Sequence, residues 1–364
     1  MIIYWAAVFG FIASFLITPL VIKLAKKFSL IDYPTRSHPA ILHKKPIPRG
    51  GGLAIFSAII LIYILLAVFD ASLITKQVIG VFLGASIVVT VGILDDKYNI
   101  SPYFRLASNF LAAGVVVAFG VGITWIANPF DGQIRFDDII YYFSLPEGGL
   151  FGGPHTIVLF ADIFALLWIV WLMNAMNWSS GIDGQLSGIT AIAAITLGFV
   201  AIGYLEVDPN QVPLAILSFI VAGSFLGFLP WSFYPQKIMP GYSGGALSGY
   251  LIAVLSILAG GKLAVALIVI AVPLIDGLWA IGRRLLRGRS PVWGDKEHLH
   301  HQLLALGWKI PKIAIFYYLI TMVLAAFALS LDSRGKFFAI IMVFVLSFAG
   351  LVTFSILLKR FNLK

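Results

Sequence analysis

Residues 75–102 read TKQVIGVFLGASIVVTVGILDDKYNISP. Between Lys76 and Asp95 there is no charged side chain, and two aspartates, Asp95 and Asp96, then follow in succession. The hydrocarbon core of a bilayer is roughly 30 Å thick, and about 20 apolar residues cross it as a helix. Residues 75–94 therefore predict a membrane helix that ends on two carboxylates. A helix C-terminus already carries partial negative charge, and adjacent carboxylates oppose each other's ionisation. A divalent cation, or a proton to be abstracted, would relieve that charge; a solvated helix end would also do so. Mg²⁺ suits a carboxylate-oxygen site that shares its shell with substrate phosphates.

The same reading extends along the chain. Eleven apolar stretches predict spans near 2–24, 51–69, 75–94, 104–127, 156–173, 185–204, 212–230, 244–260, 262–282, 313–331 and 337–358. The eighth is short and runs into Gly260-Gly261, which leaves the count open by one. The expected fold is all-α, a polytopic transmembrane helix bundle of about 11 helices forming one domain over residues 1–364. Composition agrees, with 60% apolar and only 11% charged residues in 364. A soluble protein carries roughly 25% charged residues, and a surface this poor in charge needs lipid as its solvent. The first stretch lacks a basic leader and is too long for a cleaved signal, so it reads as a membrane helix. The absence of cysteine excludes a disulfide framework, a thiolate metal site and a cysteine nucleophile. No internal repeat or soluble domain is visible.

Orientation follows from the basic residues. With the N-terminus outside and the C-terminus cytoplasmic, twenty of the 25 Lys and Arg residues fall on inner stretches. Lys76, Arg135, Lys262, Arg334 and Lys336 fall on outer ones. That is the positive-inside pattern. The net charge of +9 is then a topology signal plus attraction to anionic membrane lipid, and it requires no nucleic acid. The outer segment 128–155, with Asp131, Asp137, Asp138 and Glu147, reads as a solvated loop.

Five inner stretches hold most of the unusual polar residues. HKKPIPRGGG at 43–52 joins Lys45 and Arg49 to glycines whose backbone N–H groups can approach an anion. DDKYNISP at 95–102 is the second. NAMNWSSGIDGQ at 174–185 places Asn174 and Asn177 on one helix face, followed by Asp183. Amide and carboxylate oxygens are hard ligands; a helix cap and turn is the plain alternative. YPQKIMPGYSGG at 234–245 has the flexibility of a phosphate loop but no carboxylate. The fifth contains Asp276, then Arg283, Arg284, Arg287 and Arg289, then DKEHLHH at 295–301. Four arginines in seven residues can grip a diphosphate through bidentate forks. If the last piece is helical, His298 and His301 share a face and His300 points elsewhere. The histidines suit anionic oxygens as well as Zn²⁺.

Taken together, these pieces resemble the polyprenyl-phosphate N-acetylhexosamine-1-phosphate transferases. The matching segments, in order, are HKKPIPRGGGLAIF at 43–56, DDKYNISP at 95–102, NAMN with GIDG at 174–184, YPQKI at 234–238, VPLID at 272–276 and GRSP with DKEHLHHQLLALG at 288–307. The last form is similar to the WecA/TagO-type branch rather than the muramyl-pentapeptide branch.

The resemblance implies a multi-pass protein of the bacterial plasma membrane with its active site facing the cytoplasm. It implies attack of a lipid phosphate, undecaprenyl phosphate, on the β-phosphate of a UDP-N-acetylhexosamine. The products are a lipid diphosphate sugar and UMP, the cofactor is Mg²⁺ with Mn²⁺ as a substitute, and a homodimer is common. It casts Asp95 and Asp96 as the catalytic pair, Asn177 and Asp183 as metal and nucleotide ligands, and His298, His300 and His301 as phosphate contacts. Lys45, Arg49, Asn174, Arg287 and Arg289 complete the expected substrate-binding set.

The chain departs from the pattern at three positions. Ser180 stands where an aspartate is usual, Ser232 where an asparagine is usual, and Tyr242 where the usual aspartate is a metal ligand. A phenol is a poor Mg²⁺ ligand at neutral pH. A silent or altered homologue that binds lipid phosphate or partners is the alternative expectation. A transporter would need charge along a membrane pathway, for which Asp162 is the candidate.

Overall fold

A computed structural model describes residues 2–34, 43–145, 153–260, 262–288, 290 and 298–360. The helices are α1 (Ile2–Lys27), α2 (Gly51–Phe69), α3 (Lys76–Tyr98), α4 (Pro102–Ala118), α5 (Leu159–Trp178), α6 (Gln185–Gly203), α7 (Val212–Ser232), α8 (Gly241–Leu258), α9 (Leu263–Val269), α10 (Ala271–Leu286), α11 (Leu299–Ala305), α12 (Ile310–Ser330) and α13 (Ser333–Arg360). Three antiparallel two-stranded ribbons accompany them. They pair β1 (Ile31–Asp32) with β2 (Ile47–Pro48), β3 (Trp125–Ala127) with β4 (Gln133–Arg135), and β5 (Ile140–Leu145) with β6 (Gly153–Val158).

Among the described residues, nine helices are long and apolar enough to cross a membrane. The pair α9 and α10 makes a tenth if counted as one pass, and α4 is a shorter apolar helix. All eleven predicted stretches therefore have helical counterparts, with three corrections.

The fourth stretch does not stay helical to residue 127. α4 ends at Ala118 because Gly120, at φ +90°, closes it: Gly120 N donates to Val117 O at 2.8 Å and Val121 N to Val116 O at 3.3 Å. That bond pair is a Schellman stop, with glycine in the left-handed position. The ninth stretch is broken at Ile270 and bent by 79°. Pro273 cannot donate to the Val269 carbonyl, and its ring crowds that oxygen. The outer segment is not a plain loop, since β4, β5 and much of β6 lie within it.

α8 is the axis of the bundle. Every residue from Tyr242 to Ile257 is buried. Lipid gives no hydrophobic drive to helix association, so close backbone packing has to supply it. Small residues allow that approach: a methyl carbon added at Gly92 of α3 would lie 2.3 Å from Ser243 Cα, and one at Gly249 of α8 would lie 2.2 Å from Leu172 O of α5. On the far side of the bundle, α1 and α7 meet through a small-xxx-small pair. A methyl at Gly223 would fall 1.9 Å from Ala7 O, and one at Gly227 would fall 2.2 Å from Phe11 O.

The outward faces of α1, α12 and α13 expose large apolar side chains, including Leu16, Leu20, Leu319, Phe338 and Leu346. A lipid surround accounts for that exposure. Some hydroxyls within the spans bond back along their own helix: Thr18 donates to Ser14 O at 2.6 Å and Thr190 to Leu186 O at 2.7 Å. Asp162 is not part of a charged pathway. It sits in the first turn of α5 and accepts from Val158 N at 3.0 Å, at the end of the bundle that carries the outer strands.

Candidate active site

The polar stretches singled out in the sequence converge on the other end of the bundle, around the N-terminus of α8. Gly241 opens that helix at φ +69°, and a Cβ there would lie 2.2 Å from Asp96 Oδ2. Asp96, at the end of α3, thus occupies the space that a side chain at position 241 would need. Its Oδ1 accepts from Tyr242 N at 2.9 Å and pairs with Arg49 Nε at 3.2 Å; its Oδ2 accepts from Ser243 Oγ at 2.8 Å. The first turn of a helix offers N–H groups with no partner inside the helix, and its dipole favours an anion. Asp96 therefore caps α8 from a neighbouring helix.

Asp95 points to α4, where Arg105 NH1 donates to its Oδ2 at 3.4 Å. The Arg105 guanidinium also lies over the Tyr242 ring, 5.1 Å from its centroid. One turn along α4, Asn109 Oδ1 accepts from the Tyr242 hydroxyl at 3.0 Å. Both aspartates are buried, whereas the Arg49 and Arg105 side chains keep 17% and 26% of their surface open. Any ligand arriving here meets the guanidinium groups first.

Arg49 is placed by the short ribbon before α2. Its backbone N–H donates to Leu30 O at 2.9 Å, next to the β1–β2 pairing of Ile31 with Pro48. His43 holds the same hairpin through Nε2 to Asp32 Oδ2 at 3.1 Å and Nδ1 to Lys45 O at 2.8 Å. Lys45 is exposed beside it.

Asn177, at the end of α5, faces the next turn of α8: a Cβ at Gly245 would lie 2.5 Å from its Oδ1. Gly241 and Gly245 are four residues apart, so Asp96 and Asn177 sit on one face of α8, about one turn from each other. Asn174 does not join them. Its Nδ2 donates to Val170 O at 2.7 Å, along its own helix. Asp183 accepts from Gln236 N at 3.2 Å, and burial raises its carboxyl above the ordinary range.

The histidines differ from the helical expectation. His298 precedes α11 in extended conformation, and His300 rather than His301 is its ring partner. The His298 and His300 rings stack at 5.7 Å, and His300 meets His301 at 4.3 Å, so the three form one contiguous group with His300 in the middle. Asp276 orders this group, accepting from His298 Nδ1 and from Leu299 N at 2.8 Å each. Burial, followed by its histidine neighbours, pushes His300 well below the usual imidazole value. It also connects the group to the third stretch, since a Cβ at Gly181 would lie 2.4 Å from His300 Nε2.

Arg283 and Arg284 turn inward against Trp279 and Trp178, with guanidinium-to-ring distances of 5.8 and 6.0 Å. Arg287 is exposed at the end of α10, and Arg289 lies outside the described residues.

Arg105, Asn109 and Ser243 carried no site role in the sequence, and Asp276 was named in the fifth stretch without one. The signal for the first two is their i, i+4 spacing just after the DDKYNISP turn, which puts them on one face of α4.

The donor set was tested against the expected divalent ion. Mg²⁺ needs about six hard oxygens in near-octahedral array. Among the described residues, no three His, Asp or Glu side chains converge as donors. Both Asp96 oxygens already meet protein donors. The hydroxyls at the three departing positions are satisfied internally: Ser180 by Asn177 O at 2.6 Å, Ser232 by Ser187 Oγ at 3.1 Å and Tyr242 by Asn109. These residues do not fit a Mg²⁺ site shared by Asp95, Asp96, Asn177 and Asp183.

The bundle gathers charged and polar side chains at one end of an apolar helical structure, and comparison with known proteins gives its class as a membrane transferase. The family described as Glycosyl transferase family 4 matches residues 78–260. The chain is 31% identical to the probable undecaprenyl-phosphate N-acetylglucosaminyl 1-phosphate transferase of Bacillus subtilis (strain 168), covering 93% of this chain and 88% of that one. It is also 31% identical to the decaprenyl-phosphate N-acetylglucosaminephosphotransferase of Mycobacterium tuberculosis (strain ATCC 25618 / H37Rv), covering 96% and 87%. Against the undecaprenyl-phosphate alpha-N-acetylglucosaminyl 1-phosphate transferase of Escherichia coli (strain K12) it is 28% identical, covering 82% and 76%. The chain belongs to glycosyl transferase family 4.

Proposed function

We propose that the chain transfers N-acetylhexosamine 1-phosphate from a UDP-sugar to a polyprenyl phosphate at the inner face of a bacterial plasma membrane, an early step in building a cell-wall or surface glycan. An oxygen of the lipid phosphate bonds to the β-phosphorus of the donor. The bond from that phosphorus to the bridging oxygen breaks, and UMP leaves with the bridging oxygen. The observation that carries this reading is the convergence of five polar stretches on one end of an otherwise apolar bundle, where a lipid phosphate and a soluble nucleotide can meet.

Both substrates are anions, so the protein has to offset their repulsion. Among the described residues, Arg49 and Arg105 pair with the two aspartates, and bidentate guanidinium contacts suit phosphate oxygens. His298, fixed by Asp276, presents its other ring nitrogen to a ligand. In this reading Asp95 and Asp96 serve as the base toward the lipid phosphate. The test is UMP release from UDP-N-acetylglucosamine and undecaprenyl phosphate by purified full-length protein. Release that Asp95→Asn abolishes supports the reading. No release by wild type, with release by the Tyr242→Asp, Ser180→Asp double variant, would favour a silent homologue.

A further inference from the structure

We propose that at the aspartate pair two guanidinium groups, Arg49 and Arg105, take the place of a divalent cation, so that the chain binds phosphate ligands there without Mg²⁺. The proposal rests on the transferase reading for the identity of those ligands, but not for the state of the site.

Three observations carry it. The first is charge. Ionised, Asp95 and Asp96 carry two negative charges, and Arg105 and Arg49 pair with them at 3.4 and 3.2 Å. The pair is thus neutralised within the protein, and an incoming divalent ion would have to displace a guanidinium or sit against it. The second is geometry. Tyr242 N and Ser243 Oγ hold Asp96 at the end of α8. A carboxylate fixed in this way cannot turn toward a metal without uncapping a buried helix end. The third is Tyr242 itself. Its ring lies under Arg105 at 5.1 Å and its hydroxyl donates to Asn109 at 3.0 Å, so it supports the guanidinium, and a neutral phenol is a poor ligand for a hard divalent ion. A cation over an aromatic face is held in place by the ring quadrupole.

The arginines are also the groups that a ligand can reach. Their side chains are partly open while both carboxylates are buried. Arg49 uses Nε toward Asp96, which leaves its two terminal nitrogens as the fork that phosphate accepts.

The test uses full-length protein in detergent, stripped with EDTA and titrated with Mn²⁺ while the free ion is followed by electron paramagnetic resonance. The expected result is no equimolar site: wild type takes up no more Mn²⁺ than detergent alone. One ion held per chain, and lost in Asp96→Asn, would overturn the proposal. In parallel, UMP release is measured in EDTA and in Mg²⁺. Equal rates are expected, and release that stops in EDTA and returns with Mg²⁺ would overturn the proposal while leaving the transferase reading intact. If neither condition gives UMP, the transferase reading fails and the Mn²⁺ titration still decides the state of the site. Arg105→Ala should weaken UDP-N-acetylglucosamine or undecaprenyl phosphate binding in EDTA by about tenfold or more, the size of one charge-assisted contact, with Arg105→Lys recovering part of it. Unchanged affinity in a folded Arg105→Ala would count against the arginine's role. The wild-type measurements stand without any variant.

Discussion

Gly241→Ala tests the seat of Asp96 directly. Residue 241 has φ +69°, a conformation that costs an alanine about 1–2 kcal/mol. Its new Cβ would lie 2.2 Å from Asp96 Oδ2. Relief requires the carboxylate to retreat by about 1 Å to reach ordinary contact distance. A shift of that size stretches the bonds from Tyr242 N and Ser243 Oγ, now 2.9 and 2.8 Å, beyond hydrogen-bonding range. Losing at least one of these charge-assisted bonds costs about 1.5–3 kcal/mol, which brings the expected destabilisation to at least about 2.5–5 kcal/mol. The assay is apparent melting temperature in detergent at one fixed scan rate, because membrane proteins often unfold irreversibly, together with UMP release. Gly114→Ala is the control. It lies inside α4 with nothing within 4 Å of the added carbon, so it should be neutral or gain about 0.5–1 kcal/mol in helix propensity. A Gly241→Ala chain that melts with wild type and turns over at the wild-type rate would refute the placement of Asp96 against α8.

Asp276→Asn keeps an acceptor for Leu299 N but withdraws the charge facing His298. The expected loss is about 1.5–3 kcal/mol, read as roughly a tenfold or greater fall in kcat/KM for UDP-sugar with little change in melting temperature. Gly223→Val drives a branched side chain into the Ala7 carbonyl, 1.9 Å from its first carbon, and should separate α1 from α7; loss of a monodisperse peak on gel filtration checks it, with Gly203→Ala, which has open space, as the control. For His300 the folded imidazole titrates well below its ordinary value of 6.5 because burial disfavours the charged form. The unfolded chain therefore binds the proton more readily, so this contribution is intact above 6.5 and is lost as pH falls from there toward the depressed value. Melting curves across that window should slope less in His300→Gln than in wild type.

The spans were legible because a bilayer imposes a length and a composition on each of them: among the described residues nine of the eleven stretches became helices long enough to cross, the ninth became a bent pair and the fourth a shorter apolar helix. Their ends were less so. The stop at Gly120 is written in one glycine within an apolar run, and the break at Ile270 in one proline three residues further on. Neither interrupts the average that marks a membrane segment. The aspartate pair and the loops could be read, since charge is conspicuous in an apolar chain. Their partners were less visible. Arg105 looked like one more inner basic residue, and Asn109 was one polar residue within an apolar helix. The functional weight of both depends on α4 packing beside α3, which no local pattern encodes. The histidine geometry failed for a related reason: His298 is held by Asp276 outside the helix, so helical spacing does not apply to it.

The site and the fold share their hydrogen bonds at the end of α8. A helix end buried in a membrane protein exposes N–H groups that water cannot serve. α2 resolves its end by donating from Gly51 and Gly52 to the carbonyls of Met239 and Pro240, at 3.0 and 3.1 Å. Those carbonyls belong to the turn that starts α8, and α8 in turn donates from Tyr242 to Asp96 of α3. The N-termini of α2 and α8 are therefore closed by neighbouring elements, and Arg49, two residues before α2, pairs with Asp96 there. Asp96 is a structural cap with a fully buried side chain. Loss of activity on removing it would not by itself assign it to chemistry. The informative comparison is with Asp95, whose Oδ2 meets the side chain of Arg105 rather than a helix end.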